Sequence, residues 1–156
     1  MMPEDIIELI RQDSPEEATF AQRIVDRWRE RFGEPICTPE GFCIVAEVKF
    51  DSLNFNPFAI QREGKRAVYV YLQNIRRTPP FDLDENWAEF RRRLDDVPGV
   101  DFKDTDTGAY SSERLSAFSN NAALDRFLEL IEWSISQVNA AQQEQTTRVK
   151  SESEQR

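Results

Sequence analysis

The chain has 156 residues, 39% of them apolar and 31% charged, with a net charge of −9. That length supports one domain around one core. No histidine is present, which excludes a Ser-His-Asp triad, a Cys-His dyad and His-ligated zinc.

The acidic balance opposes whole-surface binding to a phosphate backbone. The charge is uneven, however: residues 62–93 carry a net +3 while residues 94–139 carry −6. The amino terminus, Met1-Met2-Pro3-Glu4-Asp5, lacks an apolar run of signal length. No stretch approaches the ~20 apolar residues that span a bilayer. These features predict a soluble cytoplasmic protein that avoids membranes.

In chain order, residues 4–11 predict a short helix with Ile6, Ile7 and Ile10 on one face. Ser14-Pro15-Glu16-Glu17 places an N-cap serine, a first-turn proline and a glutamate three residues after the cap. Phe20, Ala21, Ile24, Val25, Trp28 and Phe32 follow at helical spacing, and Gly33 and Pro35 supply the stop. A helix over 15–32 follows from these signals.

The period then changes to two. Phe42, Ile44, Ala46, Val48 and Phe50 alternate with Cys43, Val45, Glu47 and Lys49, which predicts a strand over 42–50. Residues 57–61 and 66–73 predict two more strands joined by a turn at Glu63-Gly64. In the last of these, Val68, Val70 and Leu72 share one face, and Tyr69 and Tyr71 share the other. Cys37 and Cys43 flank a tight turn and read as small apolar strand residues in a reducing compartment, with a disulfide as the lesser alternative.

Asp82 to Glu85 has capping-box spacing ahead of the helical stripe Leu83, Trp87, Phe90 and Leu94. Residues 100–112 read as a polar, acidic loop with a short extended piece, and residues 114–118 as an edge strand. Ser119-Asn120-Asn121 caps a final helix with the stripe Leu124, Phe127, Leu128, Ile131, Ile135 and Val138. Beyond Ala140 the apolar period ends, so one domain over 1–139 and a polar, disordered tail over 140–156 are expected. The order of helices, strand meander and helices predicts an α+β fold. Its antiparallel sheet of three to four strands is packed by N-terminal and C-terminal amphipathic helices.

Four groups of residues carry candidate chemistry. Glu47 and Lys49, two apart on one strand, match half of a metal-dependent nuclease arrangement, in which carboxylates hold a cation and lysine positions a water. The upstream acids Glu30, Glu34 and Glu40 sit at a helix end or in a turn, so an exposed cross-strand ion pair is the simpler reading. Arg62, Lys65 and Arg66 at the hairpin, with Tyr69, Tyr71, Arg76 and Arg77, form a basic, aromatic candidate surface for a nucleic acid or a protein. Asp101, Asp104 and Asp106 open like a calcium loop, but Gly108 and Ala109 stand where that loop needs a ligand and a glycine. Arg91, Arg92 and Arg93 point about 100° apart on a helix and complement its dipole. Phe55, Phe81 and Phe102, in loops, read as anchors or satellite packing. No glycine-rich phosphate loop is present.

The run Tyr71-Leu72-Gln73-Asn74-Ile75-Arg76-Arg77-Thr78-Pro79-Pro80-Phe81-Asp82 is followed by Arg93-Leu94 and Val97-Pro98-Gly99-Val100. Together with Leu115-Ser116, Phe127-Leu128 and Trp133, it resembles the C-terminal part of a family of small bacterial α+β modules of uncharacterised activity. Some members of that family stand beside restriction-like or DNA-related proteins. The resemblance covers residues 42–138 and implies a compact unit of strand meander, helix, short strand and closing helix. It implies no catalytic residue.

The expected function is that of a non-enzymatic interaction or accessory module without cofactor or metal. Its partner is expected to be a protein, a second copy of the chain included. A nuclease built on Glu47 and Lys49 and a nucleic-acid binder built on hairpin 62–66 are the alternatives.

Overall fold

The computed structural model describes residues 1–104 and 108–154. Two helices open the chain, α1 (Pro3–Asp13) and α2 (Pro15–Phe32). Ser14 both ends α1 and starts α2: its amide donates to Ile10 O, and its Oγ accepts from Glu17 N at 3.2 Å. Gly33, at φ 86°, closes α2 in a backbone region that other residues rarely adopt.

Six short strands follow: β1 (Ile36–Cys37), β2 (Cys43–Val45), β3 (Val48–Lys49), β4 (Asn54–Phe55), β5 (Phe58–Gln61) and β6 (Ala67–Val70). After them come α3 (Leu72–Arg77), α4 (Asp84–Asp95), β7 (Lys103–Asp104) and β8 (Ser111–Arg114). A 3-10 turn (Leu115–Ser119) leads into α5 (Asn121–Glu154).

The fold is α+β, as the pattern of elements predicts. The main sheet is entirely antiparallel, in the order β1-β2-β5-β6-β8-β7, and β3 and β4 form a separate ribbon. Six strands therefore replace the expected three to four, because β1 adds itself beside β2, and β8 and β7 add themselves beside β6. β8 falls partly inside the expected loop 100–112, and the expected edge strand 114–118 is mostly the 3-10 turn.

The single strand expected over 42–50 is also divided. Ala46 N donates to Phe58 O at 3.0 Å, and pairing with β5 goes no further. The next residue back along that strand is Pro57, which has no N–H to offer a ladder. The chain leaves the sheet there and pairs Val48 with Phe55 instead. The third expected strand ends early too: Leu72 and Ile75, both buried, start α3 where strand had been expected through Gln73.

The capping box expected at Asp82 does not form. α4 begins at Asp84, whose carboxylate meets Arg76, and Asn86 Nδ2 donates to Pro80 O at 3.0 Å. α5 is capped by Asn120, whose Oδ1 accepts from Ala122 N at 2.9 Å. It continues as helix to Glu154, through the segment read as a polar tail. Ala, Gln and Glu there are good helix formers, and side chains back-bond within the segment, as Thr146 Oγ1 does to Gln142 O. At 34 residues α5 is about 51 Å long.

The core is one contiguous cluster that draws on α1, α2, α4 and α5 and on one face of the sheet. Phe127 is fully buried at its centre, with ring centroids 5.3 Å from Phe58, 5.6 Å from Phe102 and 5.5 Å from Phe118. Such edge-to-face and offset contacts are favoured for aromatic rings. Phe55, Phe81 and Phe102, expected in loops, are all core members. No helix among the described residues is long and apolar enough to cross a membrane.

Candidate functional site: the helix-free face of the sheet

Residues paired directly across an antiparallel ladder share a face. Ile44, Ile60 and Val68 form one such row, with Phe58, Val70 and the buried Ser111 on the same side. These apolar residues belong to the core cluster into which the helices pack.

The opposite face carries three rows. The first runs Cys43, Gln61, Ala67 and Arg114, and the second runs Ile36, Val45, Ala59, Tyr69 and Ser112, with β7 paired to it at Lys103. The third is set by alternation and by Tyr71 N donating to Pro57 O, and holds Pro57, Tyr71 and Tyr110. None of these side chains belongs to the core cluster. On this side Ala59 and Ala67 are buried, at 1% and 0% exposed, Val45, Tyr69 and Tyr71 are half-buried, and Tyr110 and Arg114 are exposed, so among the described residues water reaches this side of the sheet at its larger side chains.

Tyr69 and Tyr110 pack ring on ring at 5.2 Å, and Tyr110 is 39% exposed. No hydroxyl of Tyr69, Tyr71 or Tyr110 makes a hydrogen bond among the described residues. Partial burial, and secondarily Tyr110, raises the Tyr69 phenol above its ordinary value. Burial likewise raises Tyr71, with Cys43 and Tyr69 adding to the effect. Both therefore stay neutral donors at physiological pH. Burial also pushes the Cys43 thiol up, assisted by Glu40, which makes it a poor nucleophile.

Cys37 pairs with Ile44 and packs against the core, whereas Cys43 lies on the open face. Both thiols are free. Their opposite orientations separate them despite their closeness in sequence.

The basic and aromatic residues singled out from the sequence are not brought together. Tyr69 and Tyr71 lie on the open face. Arg66 lies on the helix side, where it is paired with Glu17 of α2 and reaches Asp13 at 3.8 Å. Arg62 donates to Gly41 O at 3.2 Å, meets Glu63 at 3.0 Å and stacks over Phe42. Arg76 donates to Phe81 O at 2.8 Å, pairs with Asp84 and covers Trp87. These arginines hold the fold together at three separate places. Lys65 and Arg77 are exposed and make no ion pair among the described residues.

Glu47 sits between β2 and β3, outside any ladder, and Lys49 lies on β3. The Asn56 amide nitrogen donates to Glu47 Oε2 at 3.2 Å. Among the described residues no group of three carboxylate or thiol side chains gathers as a metal site. Of the aspartates compared with a calcium loop, Asp106 lies outside the described residues.

Sequence reasoning missed Tyr110, Ser112 and Arg114 as surface residues. The signal was present as period-two spacing, but it starts in a segment whose polarity suggested a loop. Arg114 is exposed and makes no ion pair among the described residues. Comparisons with family models, curated proteins and solved structures find no match.

Proposed function

We propose that the chain is a non-enzymatic interaction module that docks a protein partner through the helix-free face of its sheet. One observation carries this reading. Val45 and Tyr69, both half-buried, stand outside the core cluster, and the hydroxyls of Tyr69, Tyr71 and Tyr110 have no hydrogen-bond partner among the described residues. Antiparallel sheets with one solvated face normally alternate apolar and polar residues. Here the solvated face is aromatic and mostly uncharged, the composition favoured at the centre of protein interfaces.

The basic residues named above support this reading less than the tyrosines do. Arg62, Arg66 and Arg76 are already engaged by acids of the same chain. A nucleic-acid contact would have to break those pairs against a net charge of −9.

The test is site-specific photo-crosslinking in cells expressing the protein, with p-benzoylphenylalanine replacing Tyr69 or, as control, the exposed Glu16 of α2. A discrete protein adduct from position 69, absent from position 16 and lost in Val45→Glu, is expected. Equal adducts at both positions, or none at 69, would refute the reading.

A further inference from the structure

We propose that the cleft between the end of α4 and the start of α5 binds a free α-amino acid, its carboxylate held by Arg93 and Arg126 and its ammonium by Glu129. The cleft lies apart from the docking face, and the inference does not rest on that reading.

The cleft has a volume of about 250 Å³ and is lined by Arg92, Arg93, Asp96, Arg126, Glu129 and Leu130. Two helices bring these residues together. Arg92 and Arg93 stand in the last turn of α4, and Asp96 is its C-cap. Arg126, Glu129 and Leu130 follow at offsets of three and four near the start of α5, so they share one side of that helix. Leu130 is buried, whereas Arg126 and Glu129 are exposed.

Part of the charge in the cleft is satisfied within the fold. Arg92 donates to Glu89 from Nε at 3.0 Å and from a terminal nitrogen at 2.6 Å, and reaches Asp96 at 3.3 Å. Arg93 donates from Nε to Glu89 at 2.9 Å and lies over the Trp133 ring at 4.0 Å. Those two contacts fix its plane, while its terminal nitrogens donate to no side chain among the described residues. Arg126 and Glu129 make no ion pair and no side-chain hydrogen bond among the described residues, with each other or with a neighbour. The unmet groups of the cleft are therefore the whole Arg126 guanidinium, the outer edge of Arg93 and the Glu129 carboxylate.

That remainder selects the ligand. A simple anion would meet Arg126 but also face Glu129 and Asp96, and would approach against nine net negative charges. A simple cation would meet Glu129 against three arginines. A zwitterion has no net charge to be repelled, and it brings an opposite charge to each unmet group. Arg126 and Glu129 stand one helical turn apart, with Cβ atoms about 5–6 Å from each other. The ammonium and carboxylate of an α-amino acid sit on a single carbon, compact enough for both side chains to reach. Two guanidinium groups can take the two carboxylate oxygens in the forked geometry that arginine favours. The volume falls below the ~300–1,000 Å³ of pockets for drug-sized molecules, as a ligand this small requires. Because Arg92, Arg126 and Glu129 are exposed, water screens these pairs and the affinity is roughly millimolar.

Titration of the 15N-labelled full chain with each common α-amino acid in turn, followed by NMR, tests this. At least one should give saturable shifts at Arg93, Asp96, Arg126 and Glu129, and none at Ala59 or Tyr69. The amide of that amino acid lacks the carboxylate and its N-acetyl derivative lacks the ammonium; each should bind about tenfold more weakly or worse. Arg126→Gln and Glu129→Gln should each weaken binding by about tenfold or more, and Lys65→Gln should leave it unchanged. Both cleft substitutions replace exposed, unpaired side chains, and circular dichroism checks that each variant keeps the fold.

No saturable shift with any amino acid at tens of millimolar overturns the inference. So does an N-acetyl derivative that binds as well as its parent, which would make the cleft a plain anion site. Binding that neither cleft variant weakens overturns it too. None of these outcomes bears on the Tyr69 crosslink, so the docking reading stands or falls separately.

Discussion

Ile44 and Val45 are adjacent, β-branched and on the same short strand, yet the fold assigns them opposite surroundings. Ile44 is 2% exposed and lines a small void of about 10 Å³ with Ile24, Val25, Trp28 and Ile60. Ile44→Ala removes three carbons, about 2.4 kcal/mol at ~0.8 kcal/mol each. The enlarged void raises this to about 3–4 kcal/mol, within the ~2–5 kcal/mol seen for such truncations. For a chain of this size that lowers the melting temperature by about 6–16 °C.

Val45 lies half-buried outside the core cluster. Val45→Ala removes two carbons from a surface that water already reaches, and costs about 1 kcal/mol or less. Both variants lose a β-branched residue to alanine, so strand propensity largely cancels in the comparison. Urea unfolding followed by tryptophan fluorescence measures both, with an unchanged slope confirming that only stability moved. Equal losses from the two variants would mean that something covers the outer face, and would refute the one-sided sheet.

Other outcomes follow from local geometry. Ser14→Ala removes the acceptor for Glu17 N at the head of α2, and should cost about 1 kcal/mol in the same unfolding assay. Glu89 accepts from Arg92 and from Arg93, which hold its carboxyl at about 2 rather than the ordinary 4.5. Its stabilising contribution is therefore full above pH 4.5 and is lost as pH falls through about 2. An NMR titration should place its midpoint near 2, and Arg92→Gln with Arg93→Gln should return it toward 4.5. Because Cys37 faces the core and Cys43 the open face, oxidised glutathione should produce no intrachain disulfide in the native protein. Mass spectrometry after alkylation reads this directly.

The helices were the most legible part of the sequence. Ser14-Pro15 and Gly33 bracket α2 within the chain itself, so local chemistry suffices to bound it. The sheet was legible only in part. Alternation in 42–50 correctly separates Ile44 and Ala46 from Val45, but it does not show that Pro57, on the neighbouring strand, ends the pairing. β8 is masked because Ser111 and Ser112 are small and polar. Ser111 is fully buried in a position where an apolar residue would have announced a strand. Of the candidate site, Tyr69 and Tyr71 were legible by alternation. The arginines grouped with them were not separable from sequence, because Glu17, Asp84 and Glu63 engage them from three different parts of the chain. Glu17 and Asp84 reach their partners only through tertiary folding.

Hydroxyl-radical footprinting of the free protein at low concentration tests most directly whether the tyrosine face stands open. Tyr110 and Tyr69 should be oxidised far faster than Phe58 and Phe127, which are 2% and 0% exposed on the helix side. Tyrosines as protected as those phenylalanines would show that the face is sealed within the monomer, and the account of it as a contact surface would fail.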